Sequence, residues 1–355
     1  MKILRQLKCF MLWSVLVLPF TLLWLPVMAQ PGTNMPPLLD CGVHGNAEVI
    51  CGTRSPEDFE ITPDGRFLIV AKFGQGNDAP LDLYEFATGR FTTLPLSAAP
   101  MAGWGESSCT ESIGEQVNPH GLSLSRRTNG QWQFFVVNHN VRESMEMYEL
   151  VADGSSWKLV WHGCVSAQEP YNDVAARPDG SFVATRPQAI MQAGSDLFAG
   201  APSGNVGQWS AAAGESVLPG SEYGYPNGVL VSADGRYAYI SGWTTRNFHK
   251  YDLLNKQEVG SVDFGFMPDN LTWTADGKIL AGGINGVAGN CPASGTVPCI
   301  VGSVVAEVDP ATLAVRVVYD SGDQALISGT SVAIEANGSV YIGSFQGTRM
   351  LKVPR

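Results

Sequence analysis

Residues 57–74 read EDFEITPDGRFLIVAKFG. Asp64-Gly65 offers the residues of a tight hairpin turn, which needs positive φ, and its flanks carry β-branched and aromatic side chains. The segment is therefore a strand, a turn and a second strand. The same unit recurs down the chain. Asn129-Gly130 precedes QWQFFVVNH (131–139), Asp179-Gly180 precedes SFVATRP (181–187) and Asp234-Gly235 precedes RYAYISGW (236–243). Asp276-Gly277 precedes KILAGGING (278–286), and Asn337-Gly338 precedes SVYIGSFQG (339–347). The turns return about every 55 residues, which is one four-stranded sheet per repeat. LDLYEFATGRFTTL (81–94), MEMYELVADGSSWKLVW (145–161) and AEVDPATLAVRVVYD (306–320) supply a third strand, a turn and a fourth. The expected fold is all-β, a six-bladed β-propeller around a central channel. A β-sandwich is the rival, and even spacing over the whole chain argues against it.

The chain has 355 residues, with 45% hydrophobic and 15% charged. Its 40 glycines and 22 prolines are scattered, as many turns between short strands require. Residues 1–29 read as a signal peptide: Lys2, Arg5 and Lys8 precede an apolar run that ends at Val27-Met28-Ala29. Pro19 and Pro26 make that run a poor spanning helix, so membrane association is expected only if the segment is retained. Residues 30–355 then form a single propeller domain that is secreted or periplasmic. The formal net charge of −11 becomes more negative once the basic leader is lost, which argues against nucleic acid as a partner. Cys9 leaves with the leader. Cys41, Cys51, Cys109, Cys164, Cys291 and Cys299 remain, an even set that suggests disulfides. Sequence does not choose among their pairings; the expectation is Cys41–Cys51, Cys109–Cys164 and Cys291–Cys299. The absence of a CxxC pair speaks against zinc.

The strand before each turn carries the chemistry. Eight residues before the turn glycine stand Glu57, Asn172, Asn227, Asp269 and, in the last repeat, Thr330. The second repeat has a longer turn, and ten residues before Gly130 stands His120. Asp58, Asp173 and Asn270 follow by one step. If these strands are innermost in their blades, the equivalent positions converge on the channel axis. Oxygen-bearing side chains in register across several repeats suit a hard cation such as calcium, which takes six to eight oxygens.

The segments EDFEITPDG, NPHGLSLS, FFVVNHN, YNDVAARPDG, PNGVLVSADG and DNLTWTADG, with the final ISGTSVAIEANGSVYIGSFQGTRMLKV, resemble the paraoxonase/arylesterase family of calcium-dependent lactonases. The likeness runs from Glu57 to the C-terminus. The wider group of gluconolactonase-like and organophosphatase-like propellers shares the Glu/Asn/Asn/Asp ring, and the HG…VVNH pair points to the paraoxonase branch. The resemblance implies two calcium ions. Glu57, Asn172, Asn227, Asp269 and Asn270 match ligands of a catalytic one. Asp58 and Asp173, with the backbone carbonyl of Leu122, match ligands of a structural one. His120 and His139 match the family's histidine pair above the metal. His120 also stands at a channel position by the count from its turn, and His139 closes the next strand. His44, His162 and His249 read as ordinary surface or core histidines.

The chain departs from the family in two places. No cysteine follows Cys299, so ring closure must rest on strand pairing, with NAEVIC (46–51) the candidate. AGGINGVAGNCPASGTVPC (281–299) lacks a histidine that vertebrate members carry and adds a cysteine-bounded insertion. Two sequons occur, at Asn337 and Asn270, and glycosylation of Asn270 would contradict a metal role.

The expected activity is hydrolysis of a small lactone or activated aryl ester. Calcium would polarise the carbonyl, His120 would act as base on water and His139 would relay the proton. Asp269 is an alternative participant. A sugar-lactonase, a phosphotriesterase, or a non-catalytic calcium-stiffened binding propeller are the other readings. No G-x-S-x-G elbow lies in a strand-turn-helix context, and the glycine-rich stretches lack a phosphate-loop lysine.

Overall fold

A computed structural model describes residues 37–74, 80–286 and 301–355. The proposed leader and the expected Cys291–Cys299 pair lie outside these residues, as does most of the insertion at 281–299. The described strands form six sheets, antiparallel but for one added edge strand, the six blades of a propeller. The innermost strands, blades 1 to 6 in order, are Pro56–Ile61, Pro119–Arg126, Val174–Ala176, Pro226–Val231, Met267–Trp273 and Thr330–Ala336. Each contacts the next, and the last returns to the first, so they ring one axis. All six Asp-Gly or Asn-Gly turns join an innermost strand to the second strand of its blade. Their glycines adopt positive φ, from +69° at Gly65 to +91° at Gly130.

Two blades carry five strands rather than four. Blade 2 gains Leu96–Ala98, which runs parallel to its outer strand Ser156–Ser166. Blade 6 gains Ala47–Cys51 and Gly42–His44 from the N-terminal side. Ala47–Cys51 pairs antiparallel with Arg349–Pro354, with Val49 opposite Leu351. The ring is thus closed by strand pairing, through the segment the sequence offered. The expected Cys41–Cys51 disulfide joins the residue before Gly42–His44 to the end of Ala47–Cys51, with Cα atoms 5.9 Å apart. Cys109–Cys164 ties the connection before blade 2 to its outer strand, at 5.5 Å.

Apolar side chains fill the wedges between blades. Ile69 and Leu83 of blade 1 pack with Phe134, Val136 and Trp161 of blade 2, and all five are fully buried. Such burial contributes roughly 1.5–3 kcal/mol per large side chain. Among the described residues the one helical element is a 3-10 turn at Gly114–Gln116, and no helix is long and apolar enough to cross a membrane.

The innermost strands share a defect that positions the site. In blade 1 the ladder pairs Pro56 with Lys72 and then Phe59 with Val70, so Glu57 and Asp58 bulge out of it. The same slip expels His120-Gly121, Asn227-Gly228, Asp269-Asn270 and Ser331-Val332 from blades 2, 4, 5 and 6. In blade 3, Asn172-Asp173 directly precede the regular strand. A bulge sets two residues against one and re-aims side chains. Here it turns them toward the axis. In blade 6 the register corrects the count by one. The hairpin is two residues shorter than that of blade 1, one of them before the turn glycine, and Ser331, not Thr330, is the equivalent of Glu57.

Candidate functional site

Glu57, Asn172, Asn227, Asp269 and Asn270 are all buried, as an inward bulge at the centre of a closed ring requires. Neighbouring blades lock the backbones that carry them. Gly121 N–H donates to Asn172 O at 3.0 Å. Thr185 Oγ1 donates to Asn227 O, Ser241 Oγ to Asp269 O and Ser331 Oγ to Glu57 O, at 2.5–2.6 Å. Asn270 Nδ2 donates to Glu57 Oε1 at 2.8 Å, and the Asn227 side chain donates to Asp269.

Four acceptor atoms of this ring have no partner: Glu57 Oε2, Asn172 Oδ1, Asn227 Oδ1 and Asn270 Oδ1. Buried polar atoms are rarely left unpaired, because each costs about 1–3 kcal/mol. Charge adds to the demand. Burial first, then the nearby Asp58 and Asp269 carboxylates, push Glu57 well above its ordinary range. Asp269 is raised mainly by burial, against the bond from Asn227. Among the described residues no Lys or Arg pairs with either. A cluster of unpaired oxygens with uncompensated negative charge fits a hard cation. A softer metal fits poorly, since the unpartnered atoms are carboxylate and amide oxygens rather than thiolate sulfur or imidazole nitrogen.

Asp58 and Asp173 lie one step along the axis. Asp58 accepts Phe59 N–H at 2.8 Å and Leu122 N–H at 2.6 Å. Asp173 accepts Val174 N–H and Val229 N–H, each at 2.7 Å. These carboxylates therefore stitch blade 1 to blade 2 and blade 3 to blade 4. Leu122 meets this layer through its amide. Burial raises Asp58 to about 7, and burial with the Asp58 charge raises Asp173 well above its ordinary value. A carboxylate has about four lone-pair positions, so each retains acceptor capacity. Beyond them, on the hairpin side, opens a cavity of about 1250 Å³ lined by Glu60, Leu124, Arg177, Tyr239 and Trp273.

On the other side of the ring stand the two histidines. His120 Nδ1 lies 2.9 Å from His139 Nε2, and His139 Nδ1 lies 2.7 Å from Glu143 Oε2. His120 Nε2 faces the ring, 3.4 Å from Asn172 Nδ2 and 3.6 Å from Glu57 Oε1. Burial, then the neighbouring His139, lowers the His120 pKa well below the usual imidazole range. Phe73 packs on His120 with ring centroids 4.4 Å apart. The remaining histidines do not converge here. His44 bonds Asp40 O, His162 lies between Ala99 O and Glu149, and His249 bonds Glu258 and stacks on Tyr223.

Besides Phe73, sequence reasoning missed three site residues. Tyr225 sits two positions before Asn227, and the fields of Asp269 and Glu57 add to burial in raising its phenol to about 12. Its φ of +51° is rare for a bulky residue and marks local strain. Trp243 packs against it at 5.1 Å. Glu143 is the third. The latter two lie in loops where the repeat offers no equivalent position, so counting from turns could not reach them.

Residues 109–352 match the arylesterase family. Serum paraoxonase/lactonase 3 of Homo sapiens is 26% identical over 180 residues, covering 47% of this chain and 49% of the human protein. The Mus musculus protein is 27% identical over 179 residues, with the same shares. The chain thus spans about half the length of the curated relatives it matches. Among solved structures, a luciferin-regenerating enzyme matches with a TM-score of 0.52 at 12% identity, over 87% of this chain and 95% of the other. A gluconolactonase from Xanthomonas campestris matches at 0.50 and 14% identity, over 87% and 90%. At such identities the structural likeness speaks for the propeller fold alone.

Proposed function

The chain belongs to the arylesterase family, and from that premise we propose that it is a calcium-dependent hydrolase of lactones or activated aryl esters. The observation that carries the reading is the set of four unpartnered oxygens beside the channel-facing nitrogen of His120. Glu57, Asn172, Asn227, Asp269 and Asn270 would hold the ion, and calcium there would supply a Lewis acid for the substrate carbonyl. Asp58 and Asp173 would take a second ion with their remaining lone pairs, with the Leu122 carbonyl the expected third donor.

The protein's own groups then have distinct tasks. His120 Nε2 accepts a proton from the attacking water, and its depressed pKa keeps it unprotonated and ready near neutral pH. His139 shares the resulting charge across the 2.9 Å contact. The Asn227 bond holds Asp269 in place, which suits a ligand better than a free nucleophile. Phe73 beside His120, and Tyr225 with Trp243, would offer aromatic surface against which an ester or lactone packs. The disulfides suit a secreted or periplasmic setting.

Two measurements test this. Complete calcium removal with EGTA should abolish turnover of an aliphatic lactone, and added calcium should restore it. His120→Gln should lower kcat by about 10²-fold or more while calcium binding persists. Turnover that survives chelation excludes the metal role; turnover untouched in His120→Gln excludes the base. Aldonolactones and phosphotriesters assayed in parallel separate the sugar-lactonase and phosphotriesterase readings, and no turnover of any substrate leaves the binding propeller.

A further inference from the structure

We infer that Glu143 is a positioning residue that completes a Glu143–His139–His120 chain and fixes His120 with its Nε2 lone pair on the channel. The inference rests on the reading of His120 as the base. A carboxylate only accepts, so the proton in the 2.7 Å contact belongs to His139 Nδ1. His139 Nε2 is then the acceptor, and the proton in the 2.9 Å contact belongs to His120 Nδ1. That leaves His120 Nε2 bare. The far end of the chain agrees, because the group nearest His120 Nε2 in the ring is the amide donor Asn172 Nδ2, at 3.4 Å. A protonated Nε2 would set two donors against each other.

The loop between His139 and Glu143 is built to hold this arrangement. Asn138 Nδ2 donates to Asn140 O at 2.9 Å, Arg142 O at 2.7 Å and Ser144 Oγ at 3.1 Å. Val141 sits at φ +64°, a conformation that β-branched residues avoid. Its side chain is 65% exposed, so packing does not compensate. Strain held by surrounding bonds is characteristic of functional loops, and here it folds Glu143 back over His139. The adjacent Arg142 does not neutralise Glu143. Its guanidinium is taken by Glu146, at 2.9 and 3.0 Å, and by Glu111 O at 3.0 Å.

During the reaction a water O–H bond breaks and its proton goes to His120 Nε2, while the oxygen bonds to the carbonyl carbon and the C=O π pair moves onto the carbonyl oxygen, to return when the ring C–O bond breaks. The His120 Nδ1 proton moves to His139 Nε2, so the positive charge comes to rest beside Glu143. When the ring C–O bond breaks, the leaving oxygen takes the electron pair and recovers the proton through the same chain. This is the role of the orienting acid in a catalytic triad, reached through a second imidazole.

The test uses the full chain saturated with calcium. Glu143→Gln keeps an acceptor and removes the charge; it should lower kcat at least about tenfold with KM within twofold. Glu143→Asp should recover part of the loss. Glu143→Ala should populate the opposite His139 tautomer in the ¹⁵N spectrum of histidine-labelled protein. Glu143→Gln and Glu143→Ala both turning over within twofold of the parent, or an unchanged His139 tautomer in Glu143→Ala, overturns the inference. His120→Gln separates the failures. If it is inactive while the Glu143 variants are not, the base stands and Glu143 falls; if it is active, the base itself falls.

Discussion

Gly121 and Gly228 stand where a side chain would drive blades apart. They are the second members of the bulged pairs in blades 2 and 4, and the next blade passes directly over each. A Cβ on Gly121 would lie 2.5 Å from Asp173 Cα and 2.7 Å from Asn172 O. One on Gly228 would lie 2.5 Å from Asp269 O and 2.8 Å from Asn270 Cα. Apart from Asp173 Oδ1, 2.4 Å from the Gly121 position, these obstructing atoms are backbone and cannot swing aside. Overpacking of this kind costs about 1–3 kcal/mol, and the atoms displaced are those that carry the ring. Gly121→Ala and Gly228→Ala should therefore lower both the urea midpoint and calcium affinity, while an alanine that leaves both unchanged would contradict the inter-blade spacing. The residues legible in the sequence, Glu57, Asn172, Asn227 and Asp269, were those that stand eight residues before the glycine of their turn. Blade 6 broke the count because its hairpin is shorter. The two sequons also separate at this scale. Asn337 is exposed in its turn, whereas Asn270 is 1% exposed and spends its amide on Glu57, which leaves no room for a glycan.

At the scale of elements, ring closure depends on the N-terminal strand Ala47–Cys51. Val49 is 2% exposed and packs in a cluster with Leu351, Val340, Ile342 and Leu280. Val43, on the outermost strand of the same blade, is 74% exposed. An unpaired charge at Val49 should cost about 3–5 kcal/mol, whereas the same change at Val43 should fall within about 0.5 kcal/mol. Val49→Asp should thus lower the thermal midpoint sharply and Val43→Asp should not. Equal effects would mean that closure lies elsewhere. Strand and turn chemistry made the six inner hairpins legible, because an Asp-Gly or Asn-Gly step between β-rich runs has a local cause. The fifth strands were harder. Leu96–Ala98 is three residues long with no turn of its own, and Ala47–Cys51 finds its partner about 300 residues away, a pairing that no local pattern specifies.

Four carboxylates buried at the axis set how the stability of the whole metal-free molecule depends on pH. Glu57, Asp58, Asp173 and Asp269 are buried together, and burial is the first cause of every upward shift, with neighbouring carboxylates adding to it at Glu57, Asp173 and Asp269. Unfolded, these groups titrate near their ordinary values of about 4. The metal-free folded state therefore holds protons more tightly than the unfolded state does. The stability this confers is fully present below about pH 4 and is lost as pH rises through the folded values, about 7 for Asp58. In chelator, the thermal midpoint should fall between pH 5 and pH 8. On the proposed reading calcium would reverse the trend, because protons would compete with the ion for the same oxygens and binding would strengthen as they leave. Ligand at 100 times its Kd adds about 2.7 kcal/mol. The gap between calcium-loaded and chelated midpoints should widen steadily from pH 5 to pH 8 in a calorimetric series. A gap that narrows would mean that the axial carboxylates are satisfied without a cation, and the unpartnered oxygens of Glu57, Asn172, Asn227 and Asn270 would then need another occupant.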